Sequence, residues 1–340
     1  MYGENIILLT KIYFDWKNKP MSRCYLVTGG AGFIGSHVVD KLIDKAKVIC
    51  VDNFDKFYSV DIKNGNIKNH IQHENYKLYK IDIKDKRALE NVFKENEITH
   101  IVHLAAKAGV RSSMSDPASY INTNIVGTFN VLQCAKEFNI KNITFASSSS
   151  VYGDRQEEMP FAEDAKTSNP ISVYAATKLS GEHLCYTYSY LYNIKIICLR
   201  FFTVYGPRQR PDLAIYSFTD SIIRGRSIYL FADGTTKRDY TYINDISEGI
   251  LAAVEYNKSN FEIINLGCGD PIELKLLISS LEQVIGKNAN IRKTRRQPGD
   301  VNLTFADLSK ARDLLNYKPK ILLEDGVKKF VHWFRIKNRD

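Results

Sequence analysis

Through the first two-thirds of the chain, short apolar runs alternate with stretches at helical spacing, and this restricts the fold more than any other feature. The runs are Cys24–Thr28, Lys47–Asp52, Lys77–Asp82, Ile98–Leu104, Ile143–Ser147 and Ile194–Arg200, with a seventh at Glu262–Leu266. Between them, residues such as Val38, Val39, Leu42 and Ile43 share one helical face. Strands separated by helices need right-handed crossovers, which give a parallel sheet covered on both faces. The expected fold class is α/β, a doubly wound parallel sheet.

After Arg200 the alternation breaks. Segments 203–240 and 271–335 carry more Pro, Gly and Arg and suit a smaller unit over the carboxyl ends of the strands, where ligands bind in such sheets. The expected division is an N-terminal extension (1–21), a main domain (22–202 and 241–270) and a smaller C-terminal substrate-binding domain (203–240 and 271–335). With 340 residues and 44% hydrophobic content, the chain is long enough for a sizeable core.

Composition excludes several partners. No stretch approaches the ~18 apolar residues that span a bilayer, and the opening segment is too short and interrupted for a signal peptide. A cytoplasmic location with no membrane partner is expected. The six cysteines (24, 50, 134, 185, 198 and 268) form no C-x-x-C and lie beside no histidine pair, so they are expected reduced, with no metal. The net charge of +9 is diffuse, and only Arg292-Lys293-Thr294-Arg295-Arg296 is dense. Nucleic-acid binding would want a basic stripe with aromatic platforms, so no nucleic-acid partner is expected. The excess charge suits an acidic small molecule.

The turn Thr28-Gly29-Gly30-Ala31-Gly32-Phe33-Ile34-Gly35 closes the first run and fits both G-x-G-x-x-G and G-x-x-G-x-x-G. Either spacing lets backbone N–H groups and a helix N-terminus meet a pyrophosphate, as in Rossmann-type sheets. Asp52 ends the second run about 20 residues on, where an acid accepts from ribose hydroxyls and favours NAD over NADP. Asp82 ends the third run and is placed to hold an adenine amine. The small residues of Leu104-Ala105-Ala106-Lys107 leave room for the cofactor. His103 reads as a packed core histidine.

Tyr174 and Lys178 lie one helical turn apart, roughly 6 Å along the axis, on one face. A free phenol titrates near ~10, too high for a base at neutral pH. A nearby ammonium and a cationic ring lower that value. Ser148, at the end of the fifth run, is placed to hydrogen-bond the same substrate oxygen. Together these residues point to hydride chemistry on an alcohol carbon.

On these motifs, with Arg200–Pro207 and Arg238–Asp245, the chain resembles the extended short-chain dehydrogenase/reductases, specifically the nucleotide-sugar epimerases, from about residue 22 to 335. Ala108-Gly109-Val110-Arg111, Arg200–Pro207 and Arg210-Pro211-Asp212 look like UDP-glucuronate 4-epimerases. The UDP-galactose enzymes usually carry Asn where this chain has Thr203. Dehydratases of the group place Asp-Glu at the positions of Ser149-Ser150, and decarboxylases place Glu at Ser150. Without a carboxylate at either position, dehydration and decarboxylation lack their acid–base groups.

The resemblance implies catalysis by Ser148, Tyr174 and Lys178. It places NAD against Gly29, Gly32, Phe33, Ile34, Gly35, Asp52, Asn53, Asp82, Ile83, Leu104, Ala105, Ala106, Lys107, Asn124 and Phe202, besides Tyr174 and Lys178. It places a UDP-sugar against Arg111, Ser149, Ser150, Thr203, Arg210, Phe231, Arg238 and Asp300, with Arg111 equally suited to capping the next helix. The implied reaction is 4-epimerisation through a 4-keto sugar, UDP-glucuronate to UDP-galacturonate. The alternatives are a UDP-glucose or UDP-N-acetylhexosamine 4-epimerase, or a catalytically silent NAD-binding regulatory protein. A homodimer is implied too, its helices Asp116–Glu137 and Ser172–Tyr192 pairing with their mates.

Overall fold

The computed structural model describes residues 23–155, 159–231, 234–294 and 301–338. The expected extension, residues 1–21, lies outside them. The strands, in chain order, are β1 (Cys24–Thr28), β2 (Lys47–Val51), β3 (Tyr76–Tyr79), β4 (His100–His103), β5 (Asn142–Ser148), β6 (Lys195–Phe201), β7 (Thr203–Tyr205), β8 (Ser227–Phe231), β9 (Lys237–Tyr242), β10 (Phe261–Leu266), β11 (Pro271–Glu273) and β12 (Asn290–Thr294). Seven form one sheet in the order β10-β6-β5-β4-β1-β2-β3. Every neighbouring pair in it is parallel. All seven apolar runs of the sequence therefore became strands of a single doubly wound α/β sheet.

Three of those runs end sooner than expected. β2 stops at Val51 rather than Asp52, β3 at Tyr79 rather than Asp82, and β4 at His103 rather than Leu104. β3 is an edge strand paired only with β2, and its ladder ends where Val51 faces Tyr79. Beyond that register nothing holds the chain extended, so Asp82 sits in a turn past the strand.

Alternation along the strands sends successive side chains to opposite faces. Val27 and Leu199 join Val38, Val39, Ile246 and Ile250 on one face, while Leu26 and Ile196 join Leu89, Val131, Leu132 and Cys185 on the other. The first cluster continues past the main sheet to Phe202, Ile228, Tyr240, Leu277 and Phe330. It thereby supports two small sheets, β11-β9-β7 and β12-β8, near the strand ends. Asp239, fully buried in β9, ties three segments together by accepting from the backbone N–H groups of Cys268, Gly269 and Ala306.

The order of strands fixes where a ligand sits. From β1 the chain builds outward to β2 and β3, then crosses back to β4 on the other side. That reversal between β1 and β4 opens a crevice at their carboxyl ends.

Candidate active site

A cleft of about 470 Å³ lies at this switch point, walled by residues that follow β1, β2, β4 and β5 and by others after β6. At one end stands the glycine turn. Gly29 has φ +72°, and a Cβ there would come within 2.8 Å of the Ala105 nitrogen, so the turn packs directly on the small residues after β4. A Cβ on Gly35 would overlap the Gly29 carbonyl. The helix Phe33–Leu42 then begins with its N-terminus at the cleft. Thr28 Oγ1 braces the same junction, accepting from Ala105 N at 3.2 Å and lying 2.7 Å from His103 Nδ1.

Asp52 is buried just past β2, with Oδ2 accepting from Ala31 N at 3.2 Å and Oδ1 from Phe54 N at 2.8 Å. Lys63, also buried, brings Nζ to 3.6 Å from Oδ1 and lies over the Tyr58 ring. No local pattern announces this lysine, since it arrives on a separate helix, Val60–Ile67. Asn53 donates to Asp82 Oδ2 at 2.9 Å. Gly29, Gly32, Phe33, Ile34, Gly35, Asp52, Asn53, Asp82, Ile83, Leu104, Ala105, Ala106, Lys107 and Phe202 all line the cleft. Backbone donors at a helix N-terminus beside carboxylates at the strand ends form a donor set that fits NAD.

Asn124 is not among the cleft residues. It lies in a π-helical turn, Asn122–Gly127, that interrupts the helix expected over 116–137. Its side chain accepts from Lys107 N at 2.8 Å and donates to Lys107 O at 2.9 Å and Thr177 Oγ1 at 3.0 Å. Asn124 thus holds the loop after β4 against the helix that carries Tyr174.

That helix, Val173–Tyr192, is capped by Ser172, whose hydroxyl accepts from Ala175 N. Tyr174 and Lys178 both face the cleft beside Ser148. The Ser148 hydroxyl is bonded within its own turn, donating to Ser150 Oγ and accepting from Ser150 N, each at 3.2 Å. Lys178 Nζ donates to the Ala146 carbonyl at 2.6 Å. Four residues further on, buried Glu182 accepts from Ser147 Oγ at 2.5 Å and from Arg200 Nε and Nη2 at 2.9 and 2.8 Å. One helical face therefore meets the end of β5 at three successive turns.

The electrostatics differ from the sequence expectation in one respect. Burial pushes the Tyr174 phenol above its ordinary value, opposed by the nearby Ser148 hydroxyl and the charge of Arg210. Burial also lowers Lys178 to about 8. The ammonium is engaged by a backbone carbonyl, and desolvation sets the direction of its shift. His103, between Thr28 and Thr128, is driven down to about 3 by burial and stays neutral, as a core histidine should.

Ser149, Ser150, Thr203 and Arg210 also line the cleft. Ser150 is partly spoken for, since its hydroxyl accepts from Ser148 Oγ at 3.2 Å. Arg111, exposed on the helix Val110–Ser115, does not line the cleft, although Val110 does. Arg238 also stands off the cleft walls, with Nη1 donating to the carbonyls of Lys237 and Asn302. Asp300 and the side chain of Phe231 lie outside the described residues. Asp55, Phe57 and Tyr58, from the loop after β2, line the cleft without having been singled out in the sequence.

Known proteins match this arrangement over nearly its whole length. The chain is 44% identical over 311 residues to the UDP-glucuronate 4-epimerase of Thermodesulfobacterium geofontis, covering 91% of this chain and 95% of that one. The crystal structure of UDP-glucuronic acid 4-epimerase from Bacillus cereus, in complex with UDP-glucuronic acid and NAD, superposes with a TM-score of 0.87 at 37% identity, covering 92% and 99%. The UDP-glucose 4-epimerase of Thermotoga maritima, with UDP-glucose, gives 0.85 at 34% identity, covering 92% and 99%. The family model described as GDP-mannose 4,6 dehydratase matches residues 26–330. With its sheet, glycine turn and Ser-Tyr-Lys triple in place, the chain belongs to that family, within the extended short-chain dehydrogenase/reductases.

Proposed function

We propose that this protein is an NAD-dependent UDP-sugar 4-epimerase that interconverts UDP-glucuronate and UDP-galacturonate. The observation that carries the reading is that Ser148, Tyr174 and Lys178 line one dinucleotide cleft, with Ser149 and Ser150 in place of any carboxylate beside Ser148. The matching family model is described by a dehydratase. Dehydration at C5 and C6 needs an acid and a base on the strand-end turn, and this chain offers two hydroxyls there. The named relatives and the ligands of the similar crystal structures support the uronate as substrate.

When bound, NAD supplies a hydride acceptor and donor for C4 and a cationic ring beside the phenol. Tyr174 takes the O4 proton at its phenolate oxygen and returns it after the sugar has turned its other face. Ser148 holds O4 toward that oxygen. Lys178, anchored on Ala146, adds positive potential where the phenolate forms. The buried cleft excludes water from the 4-keto sugar. A 4-keto uronate is a β-keto acid and loses CO₂ readily, so Ser149, Thr203 and Arg210 serve to hold its carboxylate. Segments 203–240 and 271–335 form the sugar-facing unit, with Arg238, Phe231 and Asp300 assigned to UDP.

The same reading includes a cytoplasmic homodimer. Ile121, Val126 and Phe129 on one helical stretch and Tyr186, Tyr190 and Leu191 on another are large and exposed. Pairing with a second copy would cover them. No helix among the described residues is long and apolar enough to cross a membrane.

Proton NMR of UDP-glucuronate with purified protein and no added NAD tests the reading, with UDP-glucose and UDP-N-acetylglucosamine in parallel. Conversion of the uronate to its galacto epimer is the expected result. Conversion of the neutral sugars alone rejects the carboxylate site, and no conversion even with NAD supplied rejects the epimerase.

A further inference from the structure

Arg210 is held on two sides by residues for which the reaction so far has no use. Its Nε and Nη2 donate side-on to Asp212 Oδ1 and Oδ2 at 3.0 and 2.7 Å. Nη2 also reaches the Ala108 carbonyl at 3.4 Å. One face of the guanidinium lies over the Phe57 ring, 5.3 Å from its centroid. Nη1 has no hydrogen-bond partner among the described residues and is not among their buried polar atoms, and Arg210 lines the cleft.

A guanidinium is a planar fork with a side-on and an end-on edge, each able to take a carboxylate through two hydrogen bonds. Asp212 occupies the side-on edge and Phe57 one face, by cation–π attraction. What remains for a ligand is Nη1, at the end-on edge whose other nitrogen, Nη2, already donates to the Ala108 carbonyl. The Arg210 side chain is 16% exposed and Asp212 38%. The carboxylate thus offsets the cost of a guanidinium in a largely apolar cleft while staying outside the cleft wall itself. It also fixes a flexible side chain before a ligand arrives, which removes an ordering cost from binding.

We propose that Asp212 and Phe57 are positioning residues that make the cleft selective for a sugar bearing a carboxylate, by fixing Arg210 with its end-on edge toward the sugar. This deepens the reading that Arg210 holds the C6 carboxylate and rests on it. At a distance the Arg210–Asp212 pair is close to neutral, so it does not gather anions at large. Only a carboxylate within hydrogen-bond reach of Nη1 gains from it, and a neutral hydroxymethyl group at the same carbon gains little. Phe57 comes from the loop after β2 that begins at Asp52 and Asn53, so the residue facing the sugar is set by the segment beside the cofactor.

Calorimetric titration of the full-length, NAD-loaded protein with UDP-glucuronate and UDP-glucose tests this. In D212N the Kd for UDP-glucuronate rises about tenfold, and in F57L about threefold, while UDP-glucose stays within about twofold. F57Y, which keeps the aromatic face, retains the wild-type ratio. Retention of the uronate preference in either D212N or F57L removes that residue from the proposal, and retention in both overturns it. Equal weakening of both ligands overturns it as well, since the residues would then serve the cleft as a whole. R210M separates the two layers. Unchanged uronate affinity in R210M rejects the carboxylate reading, whereas loss in R210M with none in D212N or F57L rejects only the positioning roles.

Discussion

The two ends of the cleft are built by different means. The cofactor end is a product of backbone geometry: a glycine turn at positive φ, a helix N-terminus and acids at adjoining strand ends, all set by the parallel ladder. The sugar end is a product of side chains gathered from afar, with Arg210 meeting Phe57 from the loop after β2 and Ala108 from the loop after β4. Backbone geometry tolerates few substitutions and serves one ligand. Side-chain geometry can be revised one residue at a time, which is how a shared scaffold comes to serve uronates and neutral sugars alike.

The triple proposed for catalysis, Ser148, Tyr174 and Lys178, carries the largest expected effect. Tyr174→Phe removes the proton-transfer group and should lower kcat by roughly 10²–10⁴. NAD retention and substrate affinity should hardly change, as steady-state kinetics with a bound-cofactor assay will show. A variant that keeps full turnover would remove Tyr174 as the base.

Lys178 sharpens the contrast, because it serves catalysis against stability. Its folded value of about 8 lies below the ordinary 10.5. Between those two values the unfolded chain binds the proton more tightly, so the buried lysine costs stability below pH 8. The penalty fades as pH rises toward 10.5. Taken over the whole shift it is about 3 kcal/mol. Lys178→Met should therefore unfold at higher denaturant than wild type at pH 7, with a shrinking advantage at pH 10, while losing turnover. Lower stability of the variant at pH 7 would contradict this account.

At the sugar end, Arg210→Ala should cut kcat/KM for UDP-glucuronate by about 10–100-fold, the worth of one or two charge-assisted hydrogen bonds. Keto or pentose by-products should rise, and product analysis by NMR reads them directly. Loss of activity without by-products would reject the protective role. At the cofactor end, Asp52→Asn should weaken NAD retention about tenfold. It removes the partner of buried Lys63. The NAD carried through gel filtration measures this, and undiminished retention would remove Asp52 from the site.

The same division decides what was legible in the sequence. The seven strands, the glycine turn, Asp52 and the Tyr174–Lys178 spacing all follow from local pattern, because each depends on neighbours close in sequence. Lys63, Phe57 and Asp55 were not legible. They reach the cleft because the loop and helix after β2 fold back over it, and nothing in their spacing announces that. Asp212 stood in view two residues beyond Arg210, yet its bidentate geometry needs the turn to be seen. Asn124 shows the converse. The resemblance implied a cofactor contact for it, and the described structure places it in a π-helical turn with its side chain bonded to the Lys107 backbone. The rise in the Tyr174 phenol was also hidden, since burial is a property of the whole fold.

The central claim is that the chain oxidises and re-reduces C4 with a cofactor it keeps. UDP-glucuronate carrying deuterium at C4, incubated in ordinary water without added NAD and followed by NMR, tests this directly. The expected product is UDP-galacturonate with the deuterium still at C4 and no exchange at C5. Product that has lost the C4 label to solvent, or that exchanges at C5, would contradict it.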